Sequence, residues 1–483
     1  MVYQLRLKEV VIMIKNTKII CTLGPAIDDE KKLAKMFEFG MDVARLNFSH
    51  QSPETAGAQI ERIRKAAEMA EKHVAIMLDT KGPEIRVGLF ENNQCEFFQG
   101  DIVKLVKEEV LGNHERFHIN CMELFDDVKV GDNLLIDDGK ITLKVMEIAS
   151  DELTCKFING GIIKNRKGIN APGVELTMPF ISQKDYEDIK YGCSIGVDAF
   201  ALSFVRTAED VLEVRALLDE FNYHDAEIIA KIECKQAIDN LEKIIKVSDG
   251  IMVARGDLGV EVATELVPMY QKKMIKLANA YGKFAITATH MLESMIENPR
   301  PTRAEASDVA NAILDGSDAI MLSGESAVGK YPFDSVKYMT KIATIAESMV
   351  DHKAMLESAS TNSLGTKNDA VSMAAADIAL KMKDVKAIIA FTETGGTAKR
   401  IFKFRPRVPV IACTDNEHTG RRLAFYRGIH TVVASYIDDL SMCDEIGRSV
   451  ALSRGFKKGD QIIIIAGFGE KHGSTNTIRI IEI

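Results

Sequence analysis

Short apolar runs of strand length recur from residue 17 onward, each followed by a stretch of helical periodicity. They are TKIICTLG, DVARLNFS and VAIMLDTKG, then, after a gap, VDAFALSFV, EIIAKIE, GIMVARGDLG, FAITATHML and DAIMLSGES. Near-continuous Val, Ile, Ala and Leu suit strands buried on both faces, and alternation with helices predicts right-handed βαβ units around a parallel sheet. Eight such units match a closed (β/α)8 TIM barrel rather than an open doubly wound sheet. The expected class is α/β, with the barrel in two parts, residues 13–82 and 182–352.

The gap between them, residues 83–181, has another texture. Alternating strands such as DIVKLV, NLLIDDG, KITLKVMEI and LTCKFING are separated by Gly, Asp and Asn turns, which predicts an inserted all-β domain. An insertion after a barrel strand emerges at the barrel's C-terminal face, where such folds carry their sites, so a lid is its natural role. After about residue 352 the segment MLESASTNSLGTKNDA interrupts the pattern, and new strands follow: VKAIIAFTE, VPVIACTD, HTVVAS, QIIIIAGF and NTIRIIEI. Residues 353–483 are expected to form a third, α/β domain.

Composition narrows the function. A formal net charge of −9 opposes nucleic-acid binding, which rests on a basic surface, so any anion site must be a local focus of Lys and Arg. The eight cysteines are scattered, with no C-x-x-C pair, which predicts reduced thiols and a cytoplasmic location. No apolar run approaches the ~18 residues that span a bilayer. The first residues, MVYQLRLKEVVIMIKNTK, lack a signal-peptide pattern. Met13 opens a more typical start, so the first dozen residues are expected to be an extension or a mis-assigned start.

Polar residues stand at the C-terminal ends of six of the eight predicted strands: Asn47 and Ser49, Asp79 and Thr80, Ser203, Lys231 and Glu233, Asp257, and Thr289. One such residue reads as a solvated loop start; six converging on one rim read as a site. Glu233 and Asp257 offer carboxylates from neighbouring strands, a donor set suited to Mg²⁺, which favours one or two carboxylates plus substrate oxygens. Lys231, two residues before Glu233, shares its side of the strand. It is either half of a buried ion pair or the cation that meets charge on a transferring phosphoryl group, and the adjacent metal pair favours the second. Alternation puts Arg45, Asn47 and Ser49 on one face of the second strand. Asn47, Ser49, Asp79 and the Thr80 carbonyl make an all-oxygen, low-charge set that suits a monovalent cation, although Asn and Ser near a strand end also cap helices. Two motifs are declined. GESAVGKY (Gly324 to Tyr331) nearly matches a phosphate loop, but Tyr331 replaces the metal-binding hydroxyl, so it reads as an ordinary loop. RGDLG (Arg255 to Gly259) reads as the end of a buried strand, not an adhesion tripeptide.

With ARLNFSH, LDTKGPEIR, IIAKIE, DGIMVARGDLG, ATHMLESM and NPRPTRAEASDVANAILDG in this order, the chain resembles the pyruvate kinase family over nearly its whole length. The resemblance implies transfer of the phosphoryl group of phosphoenolpyruvate to ADP, giving pyruvate and ATP in the last step of glycolysis. It implies Mg²⁺, with Mn²⁺ as an alternative, on Glu233 and Asp257, and K⁺ on Asn47, Ser49, Asp79 and the Thr80 carbonyl. Arg45 and Lys231 would contact the phosphoryl group; Gly256, Asp257 and Thr289 would hold the substrate carboxylate. Catalysis would rest on Lys231, Arg45 and Thr289. Asn47, His50 and Arg86 would line the nucleotide side, joined by Lys167 and Asp138 on lid closure. Glu84 goes with K⁺ dependence in this family, and His290 departs from its usual glutamine. The loop Thr392 to Ala398 matches the family's effector loop. Glu393 on it opposes fructose 1,6-bisphosphate and leaves a sugar monophosphate, AMP or no effector. A homotetramer is implied. Two rivals remain at this point, a barrel lyase and a non-catalytic metabolite sensor. The lid with Lys167 speaks against the first, and the presence of Lys231, Asp257 and Thr289 against the second.

Overall fold

The computed structural model describes residues 15–49, 53–363, 365–434, 440–467 and 475–483. Eight strands close into a barrel: β1 (Lys18–Thr22), β2 (Val43–Asn47), β3 (Ala75–Asp79), β4 (Ala199–Leu202), β5 (Glu227–Ile232), β6 (Gly250–Ala254), β7 (Phe284–Ala288) and β8 (Ala319–Leu322). Each pairs in parallel with the next in chain order, and β8 returns to β1. Nearly every strand residue is buried, because one face packs on the helices and the other fills the barrel, which is why the runs look apolar throughout. Several helices start on reciprocal caps, Ser182 with Asp185, Thr207 with Asp210 and Thr302 with Glu305, so the chain leaves each strand in a fixed direction.

The insertion forms a seven-stranded sheet and a two-stranded one between Ile85 and Asn170. Its pairs are antiparallel except Ile102–Val106 with Arg116–His118, which run parallel. A short helix, Leu124–Asp127, qualifies the all-β expectation. Phe97 and Phe157 stack at 4.4 Å in its core. It touches the barrel where Asn170 Nδ2 donates to Glu261 Oε1 at 2.9 Å.

The C-terminal sheet orders its strands Ile429–Val433, Val410–Thr414, Val385–Phe391, Gln461–Ala466 and Thr477–Glu482, only the last pair antiparallel. The segment read as an interruption is helical instead, over His352–Thr361 and Lys367–Lys381. Its Ser, Thr and Asn content resembles a loop, but Asp351 caps the first helix, and Leu356 and Ala359 bury against Ala376 and Phe404.

This sheet closes the barrel's N-terminal end. Phe284 of β7 stacks on Phe425 at 5.5 Å and meets Tyr426 edge-on at 5.0 Å. Gly250 on neighbouring β6 is required here, since a Cβ would lie 2.2 Å from the Phe284 ring. Carboxylates at the strand starts form a polar collar: Arg421 donates to Asp198 at 2.9 Å, Tyr426 to Glu227 at 2.8 Å, and Arg405 pairs with Asp318. With one end plugged, the opposite rim is left for chemistry.

His430, in the strand Ile429–Val433, points its Nε2 into this junction without a protein partner. Burial first, then the nearby Lys18 and Arg454 charges, hold its pKa well below the usual 6.5. The unfolded ring titrates near 6.5, so below about pH 6.5 the unfolded chain binds the extra proton and stability falls by at most ~1.4 kcal/mol per pH unit; above it the contribution is fully present. Thermal melts of His430→Gln between pH 7.5 and 5 should show a shallower acid-side loss than the parent, and parallel curves would refute this assignment.

Candidate active site

The rim is built from strand ends. Lys231, the penultimate residue of β5, points into the barrel with 8% exposure. Its Nζ lies 3.1 Å from Asp79 Oδ1, 3.0 Å from Glu233 Oε1 and 2.8 Å from Ser203 Oγ. Ser203 follows β4, and its hydroxyl sits 2.6 Å from the Thr80 carbonyl and 3.3 Å from Asp79 Oδ1. Arg45 of β2 donates through Nε to Asp79 Oδ2 at 2.7 Å and through Nη1 to Thr22 Oγ1 at 2.9 Å. Two cations, two carboxylates and two hydroxyls thus meet in a nearly dry space, where charges interact far more strongly than in water.

Protonation follows from that packing. Burial alone would raise Asp79, but Arg45 and Lys231 outweigh it and hold its carboxyl below the usual range. Burial alone would lower Lys231; Asp79 and Glu233 reverse this and keep the ammonium charged. Glu233 is pushed up to about 7, by burial first, opposed by Lys231 and reinforced by the Asp257 charge, while the Phe204 N–H donates to its Oε2 at 2.7 Å. A buried carboxylate under such strain gains most from a cation set against it and Asp257.

On the other side of the rim, Thr289 follows β7 and His290 follows it, both left-handed at φ +62° and +52°. The Thr289 hydroxyl accepts from the Gly256 N–H at 2.9 Å and donates to the Ala288 carbonyl at 2.7 Å. Gly256 and Asp257 lie in the first turn of a short helix, Arg255–Glu261. This corrects the reading of RGDLG as a strand end, since β6 stops at Ala254. Arg255 reaches back over the turn, donating to the carbonyls of Ala288 (3.3 Å), Thr289 (2.6 Å) and His290 (3.3 Å), while Asp308 holds it at 2.8 Å.

The pyruvate kinase barrel-domain model matches residues 14–336, and the pyruvate kinase alpha/beta-domain model matches residues 369–481. The chain belongs to the pyruvate kinase family. It is 46% identical over 473 residues to a pyruvate kinase of Geobacillus stearothermophilus, covering 97% of this chain and 80% of the relative. To one from Bacillus licheniformis it is 45% identical over 469 residues, 96% and 80% of the two chains. The corresponding protein of Sporosarcina psychrophila is 46% identical over 473 residues, again 96% and 80%. The family is one of phosphotransferases acting on phosphoenolpyruvate and ADP, with divalent-metal and K⁺ dependence as its general pattern.

The structure brings together most of the residues expected from sequence. Asn47 and Asp79 stand opposite each other in the β2–β3 register. Ser49 lies beyond β2, which ends at Asn47, so the expected three-residue face stops one step short; Ser49 instead donates its N–H to Asn47 Oδ1 at 3.2 Å. His50 falls outside the described residues. On the lid, Arg86 and Lys167 are neighbours in paired segments. Arg86 is engaged by Glu84 at 2.6 and 2.8 Å and by the Arg166 carbonyl at 2.7 Å. Lys167 Nζ lies 2.6 Å from Asp137 Oδ1. The near-match GESAVGKY forms a short helix, Gly324–Ala327, not a loop throughout. Sequence reading placed Ser203, which joins Lys231 to Thr80, on the rim without giving it a role, and left two contributors out of the site: Arg255 and the Phe204 N–H. Ser203 carried a signal as a polar strand end. The other two had none, because a backbone donor and an arginine acting on carbonyls follow no spacing rule.

Among the described residues no group of three or more His, Cys, Asp or Glu gathers as a metal cage. Two carboxylates on one rim, backed by a buried lysine, suit a hard divalent ion that takes its other oxygens from substrate and water. Asn47, Asp79 and the Thr80 carbonyl are oxygens of low total charge, which fits a monovalent ion.

Proposed function

We propose that the chain transfers the phosphoryl group of phosphoenolpyruvate to ADP through the Lys231 hub, and the contact of Lys231 with Asp79, Glu233 and Ser203 carries this reading. A β-phosphate oxygen of ADP attacks phosphorus, the bond to the enol oxygen breaks, and the enolate takes a proton at its methylene carbon to give pyruvate. Lys231 and Arg45 face the charge spread over the transferring group. The N–H groups of Gly256 and Asp257, with the Thr289 hydroxyl, hold the substrate carboxylate, which orients the enolate carbon toward Thr289. When bound, Mg²⁺ or Mn²⁺ on Glu233 and Asp257 and K⁺ on Asn47, Ser49, Asp79 and the Thr80 carbonyl supply further positive charge. Asn47, His50, Arg86 and Lys167, with Asp138, take the nucleotide.

We read the domains as 13–82 and 182–352 for the barrel, 83–181 for the lid and 353–483 for the regulatory part. A cytoplasmic homotetramer accords with the reading; among the described residues no helix is long and apolar enough to cross a membrane. The effector loop runs from Val385–Phe391 through left-handed Gly395 (φ +86°) into the helix Gly396–Lys403. That geometry supports a sugar-monophosphate or AMP site, with no effector as the alternative.

Pyruvate release from phosphoenolpyruvate, coupled to NADH oxidation by lactate dehydrogenase, tests the whole reading. The rate should require ADP and Mg²⁺ and, given Glu84, fall at least ~10-fold when K⁺ is replaced by tetramethylammonium, about 1.4 kcal/mol of barrel-rim stabilisation. Pyruvate formed without ADP would indicate a lyase, no pyruvate at all a sensor, and full activity without K⁺ would remove the monovalent site.

A further inference from the structure

The lid leaves the barrel after β3 and returns just before the helix Gln183–Ser194, so two crossing segments, residues 80–83 and 176–182, decide how it sits over the rim. The outgoing segment is fixed to the neighbouring strand as far as Thr80. There the N–H donates to the Ala201 carbonyl at 3.0 Å, Oγ1 accepts from the Ser203 N–H at 3.1 Å, and the carbonyl accepts from the Ser203 hydroxyl at 2.6 Å. Beyond Thr80 the chain turns sharply. Gly82 is left-handed at φ +73°, and a Cβ on it would lie 2.7 Å from the Ser203 Cβ, so only glycine fits the turn. The returning segment is gripped by Arg206, whose Nη1 donates to the carbonyls of Leu176 and Met178 at 2.9 Å each while Asp210 holds the guanidinium at 3.3 Å.

A single carboxylate joins the two segments. Asp185 is 3% exposed, and each of its oxygens serves a different one. Oδ1 accepts from the N–H groups of Lys81 and Gly82, both at 3.1 Å. Oδ2 accepts from the Ser182 hydroxyl at 2.5 Å and the Ser182 N–H at 3.3 Å. The Ser182 bonds belong to a capping box, in which the third helical residue answers the cap residue of its own helix. That box needs one oxygen. The other reaches a turn 103 and 104 positions away in sequence, where it satisfies two successive backbone donors with charge-assisted bonds, roughly twice as strong as neutral ones.

The geometry points to Asp185 as the positioning residue of the lid hinge: its carboxylate ties the outgoing turn at Lys81 and Gly82 to the returning segment at Ser182, so that the lid swings about one fixed axis. The inference rests on the reading that Arg86 and Lys167 of the lid take the nucleotide. With the tie cut, the two segments can separate. A smaller fraction of molecules then holds the lid where those side chains meet ADP, and the apparent affinity for ADP falls by that fraction. Phosphoenolpyruvate is held by the rim, and Thr80 keeps its bonds to Ala201 and Ser203, so its binding does not follow the lid.

Kinetics of the full chain in the coupled assay separate a hinge tie from a helix cap. Asp185→Ala should raise the KM for ADP ~3–10-fold and move the KM for phosphoenolpyruvate by less than about 2-fold. Ser182→Ala removes the capping hydroxyl but leaves Asp185 Oδ1 on the outgoing turn, so it should lower the melting temperature and keep the parent's KM for ADP. Trypsin should nick the folded chain after Lys81 faster in Asp185→Ala than in the parent or Ser182→Ala, as read by mass spectrometry. If Asp185→Ala does not fold, Asp185→Asn replaces it; with one accepting oxygen it cannot serve both segments, and both readouts should move in the same directions. Lys167→Ala tests the reading beneath the proposal. Should it leave the KM for ADP unchanged, the lid does not hold the nucleotide, and the trypsin comparison alone decides the hinge. Equal KM shifts in the Asp185 and Ser182 variants, a shift shared by both substrates, a KM for ADP that stays put where Lys167→Ala raises it, or unaltered cleavage after Lys81 would each overturn the proposal.

Discussion

Lys231→Ala is expected to lower kcat by roughly 10³-fold or more while changing the KM for phosphoenolpyruvate little, measured by the same coupled assay. The split follows from what Lys231 touches. Its ammonium is the only side-chain cation that reaches both Asp79 and Glu233 among the described residues, and it stands where positive charge meets a phosphoryl group that becomes more diffuse in the transition state. Ground-state binding has other holders, the Gly256–Asp257 turn and Thr289. The variant also leaves Glu233 buried beside Asp257 with its opposing cation gone, so its carboxyl should take up a proton more readily, and a melt belongs beside the kinetics to separate lost catalysis from lost folding. A near-normal kcat, or a loss confined to KM, would refute the role given to Lys231.

How much of this was legible before the structure depends on the kind of contact. The eight barrel strands announced themselves because burial on both faces leaves a run of apolar residues, and the polar residues that end six of those runs mark the rim. Lys231, Glu233 and Asp79 were found on that basis alone. The Ser203 hydroxyl was harder. It bonds Thr80 across 123 positions of sequence and Asp79 across 124, and a single serine at a strand end carries no spacing that says which neighbour it will serve. The helix His352–Thr361 was missed because its surface is Ser- and Thr-rich and only Leu356 and Ala359 face inward, too few for a helical stripe to show. The plugging of the barrel by Phe425 and Tyr426 was invisible for a different reason: packing between elements some 140 residues apart leaves no local trace, as the Phe284–Phe425 pair shows.

Arg255 is the clearest case of a residue that sequence could name only as part of a motif, and its replacement carries the second large effect. Thr289 and His290 occupy the left-handed region in succession, a conformation that costs about 1–3 kcal/mol for each non-glycine residue and persists only when its surroundings impose it. Arg255 imposes it here by donating to three successive carbonyls, those of Ala288, Thr289 and His290, while Asp308 fixes the guanidinium from behind. Without that clamp the turn can relax, carrying the Thr289 hydroxyl away from the Gly256 N–H that it meets at 2.9 Å. A displacement of about 1 Å at a positioned group is worth up to ~10²-fold in rate, so Arg255→Gln should lose ~10–100-fold in kcat with a modest change in melting temperature. Glycine enters the left-handed region without the Cβ penalty. Adding His290→Gly to Arg255→Gln should therefore restore a large part of the lost kcat, while His290→Gly alone leaves the parent rate nearly unchanged. Thr289→Ala serves as the companion measurement. If it has no effect, Thr289 is not at the substrate; if it is damaging but glycine at 290 brings no recovery, Arg255 acts through its charge and not through the turn.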